Sequence, residues 1–225
     1  MNRYITLLAA IALTWTAQAQ DVRKLSSFDG IAVIGNIEVI VQQGEEEQAV
    51  VEVFGIDEDD ISVYVSHNTL RLQLINSLFK REQRAKVTVT YKQLRSLKAN
   101  AGSRISSEGA ITADKLYVRS QSGSEVTLEV KTNVIDAGAQ EGAVLRLSGA
   151  TETFDASAAT GGKLYALELE SKTTYANANT GGEAEVVALD RLDASANTGG
   201  SIRYKGAPGE RNTKTVLSGD IKRVE

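Results

Sequence analysis

The chain has 225 residues with 25 basic and 29 acidic side chains, a net charge of −4, so nucleic acid and anionic membrane surfaces are poor partners. It has no cysteine, which excludes disulfides, zinc–thiolate sites, iron–sulfur clusters and cysteine nucleophiles. Aromatic residues make up 5%, glycine occurs 19 times and proline once, a composition that favours short strands and turns over a large α-helical core.

Residues 1–19 have the pattern of a secretory signal peptide. Arg3 supplies the basic start, residues 5–16 are apolar, and Ala17-Gln18-Ala19 matches a cleavage site. The apolar stretch is too short for a transmembrane helix, which needs about 20 residues. We therefore expect an exported protein whose mature chain begins at Gln20, with no later segment apolar enough to cross a membrane.

Residues 20–92 are predicted to form an irregular, strand-rich part. The runs IAVIGNIEVIVQQG, AVVEVFG, ISVYVS, TLRLQL and KVTVTY alternate between apolar and polar residues, as half-buried strands do. His67 and Asn68 lie between two runs and are predicted to form a turn, so the only histidine is not expected to belong to a catalytic triad. The acidic runs at 45–47 and 57–60 lack the spaced ligands of a calcium loop and are interpreted as solvated turns.

Residues 93–225 carry a repeat of about 19–20 residues. Glycines recur at intervals of 18–21 residues, at positions 102, 123, 142, 161, 181, 199 and 219. Self-similarity at this period is typical of a solenoid. We predict an all-β, right-handed parallel β-helix in which each glycine lies at a corner that requires positive φ or close approach of another backbone segment. Residues 20–225 are predicted to form one domain, because no Pro-, Ser- or Gly-rich linker separates its two parts.

Two strands per turn are predicted, one on each side of the glycine. In the upstream strand every second residue is mostly alanine, as at Ala156, Ala176 and Ala194. Because side chains alternate across a strand, these alanines should fill a narrow interior that larger side chains would overpack. In the downstream strand the inward residues are mostly bulky, such as Leu145 and Leu147.

The outward residues of the upstream strand are the candidate ligand-binding residues. With the turns in register, neighbours in a column lie about 4.8 Å apart, which predicts a flat polar face suited to sugars or protein partners. The candidates are Tyr117, Asp136, Asp155, Tyr175 and Asp193 in one column, with Arg119 and Asn177 beside it. The alternative is an ordinary solvated ladder stabilised by asparagine stacks. The outward residues of the other strand, at 127, 146, 165, 185 and 203, are interpreted as plain solvent surface.

Several stretches resemble a known family of exported bacterial proteins. FDGIAVIGNIEVIVQQG, ANAGSRI, SQSGSEV and TGGSIRYKGAP are similar to the family described as putative auto-transporter adhesin, head GIN domain. Gly35-Asn36-Ile37 lies where the name-giving motif would fall, with asparagine and isoleucine exchanged. The resemblance covers residues 28–225 and implies a β-helical body without established catalytic residues.

The expected function is a non-enzymatic binding or adhesion module of the cell envelope, periplasmic or on the cell surface. Its ligand would be an extracellular or periplasmic glycan or protein, and no cofactor or metal is expected. Two alternatives stay open: a carbohydrate-active enzyme, either polysaccharide lyase or glycoside hydrolase, and a purely structural envelope protein. Asp136 and Asp155 would lie about 5 Å apart, as the carboxyls of retaining glycosidases do. On a flat solvated face their repulsion is screened, so we expect no cleavage of polysaccharides.

Overall fold

The computed structural model describes residues 21–54, 60–74 and 84–225, and within these ranges the regular secondary structure is β-strand without any α-helix. Their strands join in one continuous sheet that winds into a parallel β-solenoid of about 7 turns. The predicted signal peptide, its cleavage point at Gln20 and residues 57–59 of the acidic run lie outside the described residues. No helix among the residues described is long and apolar enough to cross a membrane.

The strands before the repeat stack out of chain order. They are β1 (Asp21–Lys24), β2 (Gly30–Ile34), β3 (Ile37–Gln43), β4 (Gln48–Phe54), β5 (Ile61–Ser66), β6 (Thr69–Leu74), β7 (Arg84–Tyr91) and β8 (Ser96–Asn100). β2 lies between β6 and β8, and β3 between β7 and β9, all parallel. The pair β6 and β7, which comes later in the chain, therefore forms the turn beyond β2 and β3.

Antiparallel strands cover this end of the solenoid. β5 pairs with β6, β4 with β7 and β1 with β4, each antiparallel, so the parallel edges of the first turn are not left open. His67 and Asn68 both have positive φ, 50° and 57°, and join β5 to β6, which confirms the predicted turn. Each run predicted to be a strand forms one, although the first is divided into β2 and β3 at Gly35.

The repeat contains long strands followed by short ones. They are β9 (Arg104–Ser120), β10 (Glu125–Gln140), β11 (Val144–Ala159), β12 (Lys163–Asn179), β13 (Glu183–Val187), β14 (Arg191–Asn197), β15 (Ser201–Lys205), β16 (Glu210–Val216) and β17 (Asp220–Arg223). Residues in successive turns pair in parallel, as Ala137, Ala156, Ala176 and Ala194 do. The solenoid predicted from the glycine spacing is confirmed.

The central turns have three paired segments, whereas two were predicted. We call the segment before the corner glycine face A, the segment after it face B, and the additional segment face C. Face A comprises 96–100, 115–120, 134–140, 153–159, 173–179, 191–197 and 210–216; face B comprises 104–107, 125–128, 144–147, 163–167, 183–187, 201–205 and 220–223; face C comprises 110–113, 129–132, 148–151 and 168–171. The strands β9–β12 reach 16–17 residues because each runs from face B through face C to face A.

The corner between faces A and B repeats a two-residue turn. Six of the seven predicted glycines have φ of 70–76°, and the residue before each has positive φ as well. The corners bond to one another, since the N–H of Gly161 donates to the carbonyl of Thr180 at 3.1 Å. At the last corner Leu217 and Ser218 have the positive φ, and Gly219 occupies the next position, where a Cβ would clash with the Ala196 carbonyl. Gly219 therefore meets the second predicted requirement, close approach of another backbone segment.

The core is one apolar cluster that extends from Phe28 to Tyr204. Ala156, Ala176 and Ala194 are 0%, 4% and 2% exposed, which confirms their inward orientation. Face B supplies the bulkier side chains, among them Leu145. The narrow alanine layer keeps face A close to face B, so face A is backed by a close-packed interior.

Candidate functional site

Face A brings the candidate residues together as predicted. Tyr117 pairs with Asp136, Asp136 with Asp155, Asp155 with Tyr175, and Tyr175 with Asp193. In the adjacent column Arg119 pairs with Gly138, and that column continues to Asn177. The predicted stacking is therefore confirmed, while binding of a ligand by these residues stays a prediction.

The guanidinium of Arg119 is held by neighbouring residues of face A. Its guanidinium lies 3.8 Å from the centre of the Tyr117 ring. Nη2 donates to Asp136 Oδ1 at 2.7 Å, and Nη1 donates to the carbonyls of Val118 at 2.9 Å and Asp136 at 3.1 Å. Gly138 provides the space, since a Cβ there would lie 3.1 Å from Arg119 Cδ. The side chains of Arg119 and Asp136 are only 20% and 30% exposed, so this end of the column is occupied by internal contacts.

Asp155, the next residue in the column, lacks such contacts. Its carboxylate makes no hydrogen bond or ion pair with any residue in the described ranges. Burial raises its pKa above the ordinary value and the charge of Asp136 raises it further, while Arg119 and Lys115 act in the opposite direction. Because Arg119 is bound to Asp136, it compensates Asp155 only in part. Asp155 would therefore gain from a hydrogen-bond donor supplied by a ligand.

Tyr175 and Asn177 lie beside Asp155 on the same surface. The Tyr175 side chain is 40% exposed, with the Arg191 guanidinium 5.9 Å from its ring centre. Arg191 also approaches Asp193, at 3.8 Å. Face A thus presents an aromatic ring, a carboxylate acceptor and an amide next to one another.

Two asparagines of face A bond within their own strand, and not from turn to turn as the solvated-ladder alternative supposes. Asn179 Nδ2 donates to Asn177 Oδ1 at 3.4 Å, and Asn197 Nδ2 donates to Ser195 Oγ at 3.2 Å. Both bonds join residues of the same strand. Within the described parts of the chain no three acidic or histidine side chains gather as a metal site requires.

Two concave regions border face C and were not predicted from the sequence. A groove of about 490 Å³ follows the boundary of faces C and A, where Lys172 Nζ lies 2.8 Å from Glu152 Oε2. A pocket of about 330 Å³ lies where face B meets face C, and its lining includes Arg146, Tyr165 and Leu167. Both regions depend on face C, which the apolar pattern did not reveal. Four of the residues interpreted above as plain solvent surface line this pocket, at positions 127, 146, 165 and 185.

Comparisons with known proteins agree with this architecture. The family described as "Putative auto-transporter adhesin, head GIN domain" matches residues 27–208. A putative adhesin from Bacteroides fragilis superposes with a TM-score of 0.80 at 21% identity, over 92% of this chain and 98% of that one.

Two solved structures from Parabacteroides distasonis are also similar. One is a putative adhesin, with a TM-score of 0.74 and 18% identity over 92% of this chain and 96% of that one. The other is a putative lipid binding protein, with a TM-score of 0.69 and 17% identity over 93% and 98%. The TM-scores of these three structures show that they share the fold of this chain. No curated protein matches the chain.

Proposed function

The chain belongs to the auto-transporter adhesin head GIN domain family, and from this premise we propose that it is an exported, non-enzymatic binding module of the bacterial cell envelope. The names of the family and of its structural neighbours suggest adhesion. The signal-peptide pattern of residues 1–19 supports export to the periplasm or the cell surface. The partner is an extracellular or periplasmic protein or glycan.

The observation that carries this proposal is the cluster of Asp155, Tyr175 and Asn177 on face A. A flat surface suits a macromolecular partner, and tyrosine is enriched where binding energy concentrates because it combines apolar area with a hydroxyl. Asp155 adds an acceptor whose pKa is raised by partial burial and by the neighbouring charge of Asp136. A donor from the partner would compensate the charge of Asp155.

Binding of the exported chain to protein and glycan arrays tests the proposal. We expect Tyr175→Ala to weaken the affinity for the partner found on the array about tenfold or more, as truncation of a central interface tyrosine does. Tyr64→Ala is the matched control, since Tyr64 is 45% exposed on strand β5 and lies outside face A. Equal loss in both variants would contradict the assignment of face A. An array without any bound partner would favour the purely structural alternative.

One feature favours the enzymatic alternative, the pairing of Asp136 with Asp155 on adjacent strands. An acid and a nucleophile could arise from two close carboxylates with divergent pKa values. Asp136, however, is engaged by Arg119 at 2.7 Å, and face A is flat. We expect no release of reducing sugar from a polysaccharide panel. Release that either Asp136→Asn or Asp155→Asn abolishes would replace the binding proposal with a glycosidase.

A further inference from the structure

We propose that the pocket between faces B and C binds a single neutral pyranose residue of a glycan. We call it the BC pocket and define it by Arg146, Tyr165, Leu167, Glu168 and Glu185. It is separate from face A, so the inference goes beyond the proposed function and does not depend on face A having a partner.

A β-bulge in β12 shapes the BC pocket. Arg146 pairs with Tyr165, but Ser148 pairs with Glu168, so β12 contains one more residue than β11 at this point. A bulge redirects the side chain of the additional residue. Leu167, which lies within the bulge, is partly exposed although its neighbour Ala166 is buried. The leucine therefore stands at the surface next to the Tyr165 ring and provides an apolar wall.

Tyr165 provides the contact area for a sugar ring. It is half-buried, which fixes the ring, and its aromatic surface can lie against the C–H groups on the apolar side of a pyranose. The volume of about 330 Å³ is at the lower end of the range of ligand pockets, about 300–1,000 Å³. One ring therefore fits, and the open side allows the rest of a glycan to extend into solvent.

The charged groups around Tyr165 can form hydrogen bonds with the hydroxyls of a sugar. The Arg146 guanidinium lies 5.6 Å from the Tyr165 ring centre, and its side chain makes no ion pair within the described ranges, so its donors remain free. Glu168 is exposed and offers acceptors. Each sugar hydroxyl both donates and accepts, so an arginine and a carboxylate on either side of a ring can satisfy neighbouring hydroxyls.

The charge balance selects a neutral sugar over a charged one. Glu185 is held by Arg203, whose Nη2 lies 2.6 Å from Glu185 Oε1. The remaining charges are those of Arg146 and Glu168, which cancel. An acidic sugar would meet the Glu168 carboxylate and a cationic one the Arg146 guanidinium, each at a cost in electrostatic repulsion.

Saturation-transfer NMR and calorimetry with methyl glycosides of glucose, galactose and mannose, and with methyl glucuronide, test the proposal on the exported chain. At least one neutral glycoside should bind with a Kd of about 1 mM, which is typical of one small contact. Tyr165→Ala should weaken that binding about tenfold, whereas Tyr165→Phe, which keeps the ring, should stay within about threefold of wild type. Arg146→Gln should weaken it about fivefold through loss of a charged donor.

Controls separate this site from face A and from folding. Tyr175→Ala should leave glycoside affinity unchanged. All variants should keep the wild-type melting temperature. If Tyr165→Ala lowers the melting temperature, the test rests on Tyr165→Phe and on Arg146→Gln at an exposed position. The proposal is overturned if no neutral glycoside binds, if methyl glucuronide binds more tightly than methyl glucoside, or if Arg146→Gln has no effect. A loss caused by Tyr175→Ala would transfer glycan binding to face A.

Discussion

Replacement of Ala176 by leucine tests the alanine layer on which face A rests. Ala176 is 4% exposed and lies between Ala156 and Ala194 in the column of inward side chains. With turns about 4.8 Å apart, the additional three carbons have no free volume and must displace neighbouring side chains or the backbone. We expect Ala176→Leu to lower the free energy of unfolding by about 1–3 kcal/mol, which lowers the melting temperature by roughly 2–12 °C in a domain of this size.

Urea denaturation and calorimetry of the two proteins measure this loss. Ala159→Leu is the matched control, because Ala159 belongs to an outward column of the same face and is partly exposed. It should change stability by less than about 0.5 kcal/mol, as surface substitutions usually do. If Ala176→Leu melts like wild type, or if Ala159→Leu loses as much, the reasoning that the alanines set the thickness of the core is refuted.

Three further predictions concern face A and export. Gly138→Ala places a Cβ 3.1 Å from Arg119 Cδ and should destabilise the fold by about 1 kcal/mol in urea; in an Arg119→Ala background the same change should stabilise it. The raised pKa of Asp155 means that its ionised form costs stability, so Asp155→Asn should raise the melting temperature at pH 7, and this gain should vanish as the pH falls below the unfolded value of 3.8. Asp193→Asn removes the carboxylate that lies 3.8 Å from Arg191 Nη2, and it should show no such gain. N-terminal sequencing of the exported protein should begin at Gln20, and an intact signal segment on cytoplasmic protein would contradict export.

The alanine columns and corner glycines could be predicted because each follows from a local rule. Period-two alternation distinguishes inward from outward residues, and a corner with positive φ favours glycine. The sequence does not indicate which of the two requirements a corner glycine meets: at the last corner Leu217 and Ser218 have positive φ without glycine, and Gly219 allows the close approach of the Ala196 carbonyl. The order in which the strands pair could not be predicted in this way. Alternation identifies β6 and β7 as strands, but no local pattern indicates that they stack on β2 and β3 out of chain order.

Face C escaped the sequence analysis because part of its inward side is polar. Thr132, Thr151 and Ser171 are buried there, and Thr132 Oγ1 donates to Thr151 Oγ1 at 3.0 Å. Hydrogen bonds satisfy these hydroxyls, so burial does not require apolar side chains and the alternation of hydrophobicity is lost. The contact between Arg119 and Asp136 could not be predicted either, because it depends on the conformation that the long Arg119 side chain adopts above Gly138.

The irregular glycine intervals correspond to bulges at one boundary of the solenoid. From Gly142 to Gly161 the interval is 19 residues and from Gly161 to Gly181 it is 20. On face A the pairing of Asp155 with Tyr175 remains in register, so the additional residue must be accommodated elsewhere. It is accommodated in the bulge that contains Leu167, at the boundary of faces B and C.

The interval of 21 residues from Gly102 to Gly123 follows the same rule. Thr127 pairs with Ser106 and Glu129 with Ala110, so β9 contains two additional residues at this point. This is again where face B meets face C, while Tyr117 and Asp136 stay paired on face A. In both turns the additional residues lie at the B–C boundary, whereas the corner between faces A and B keeps its two-residue turn. Among the turns that contain face C, an interval longer than 19 residues therefore predicts a bulge at the B–C boundary of that turn.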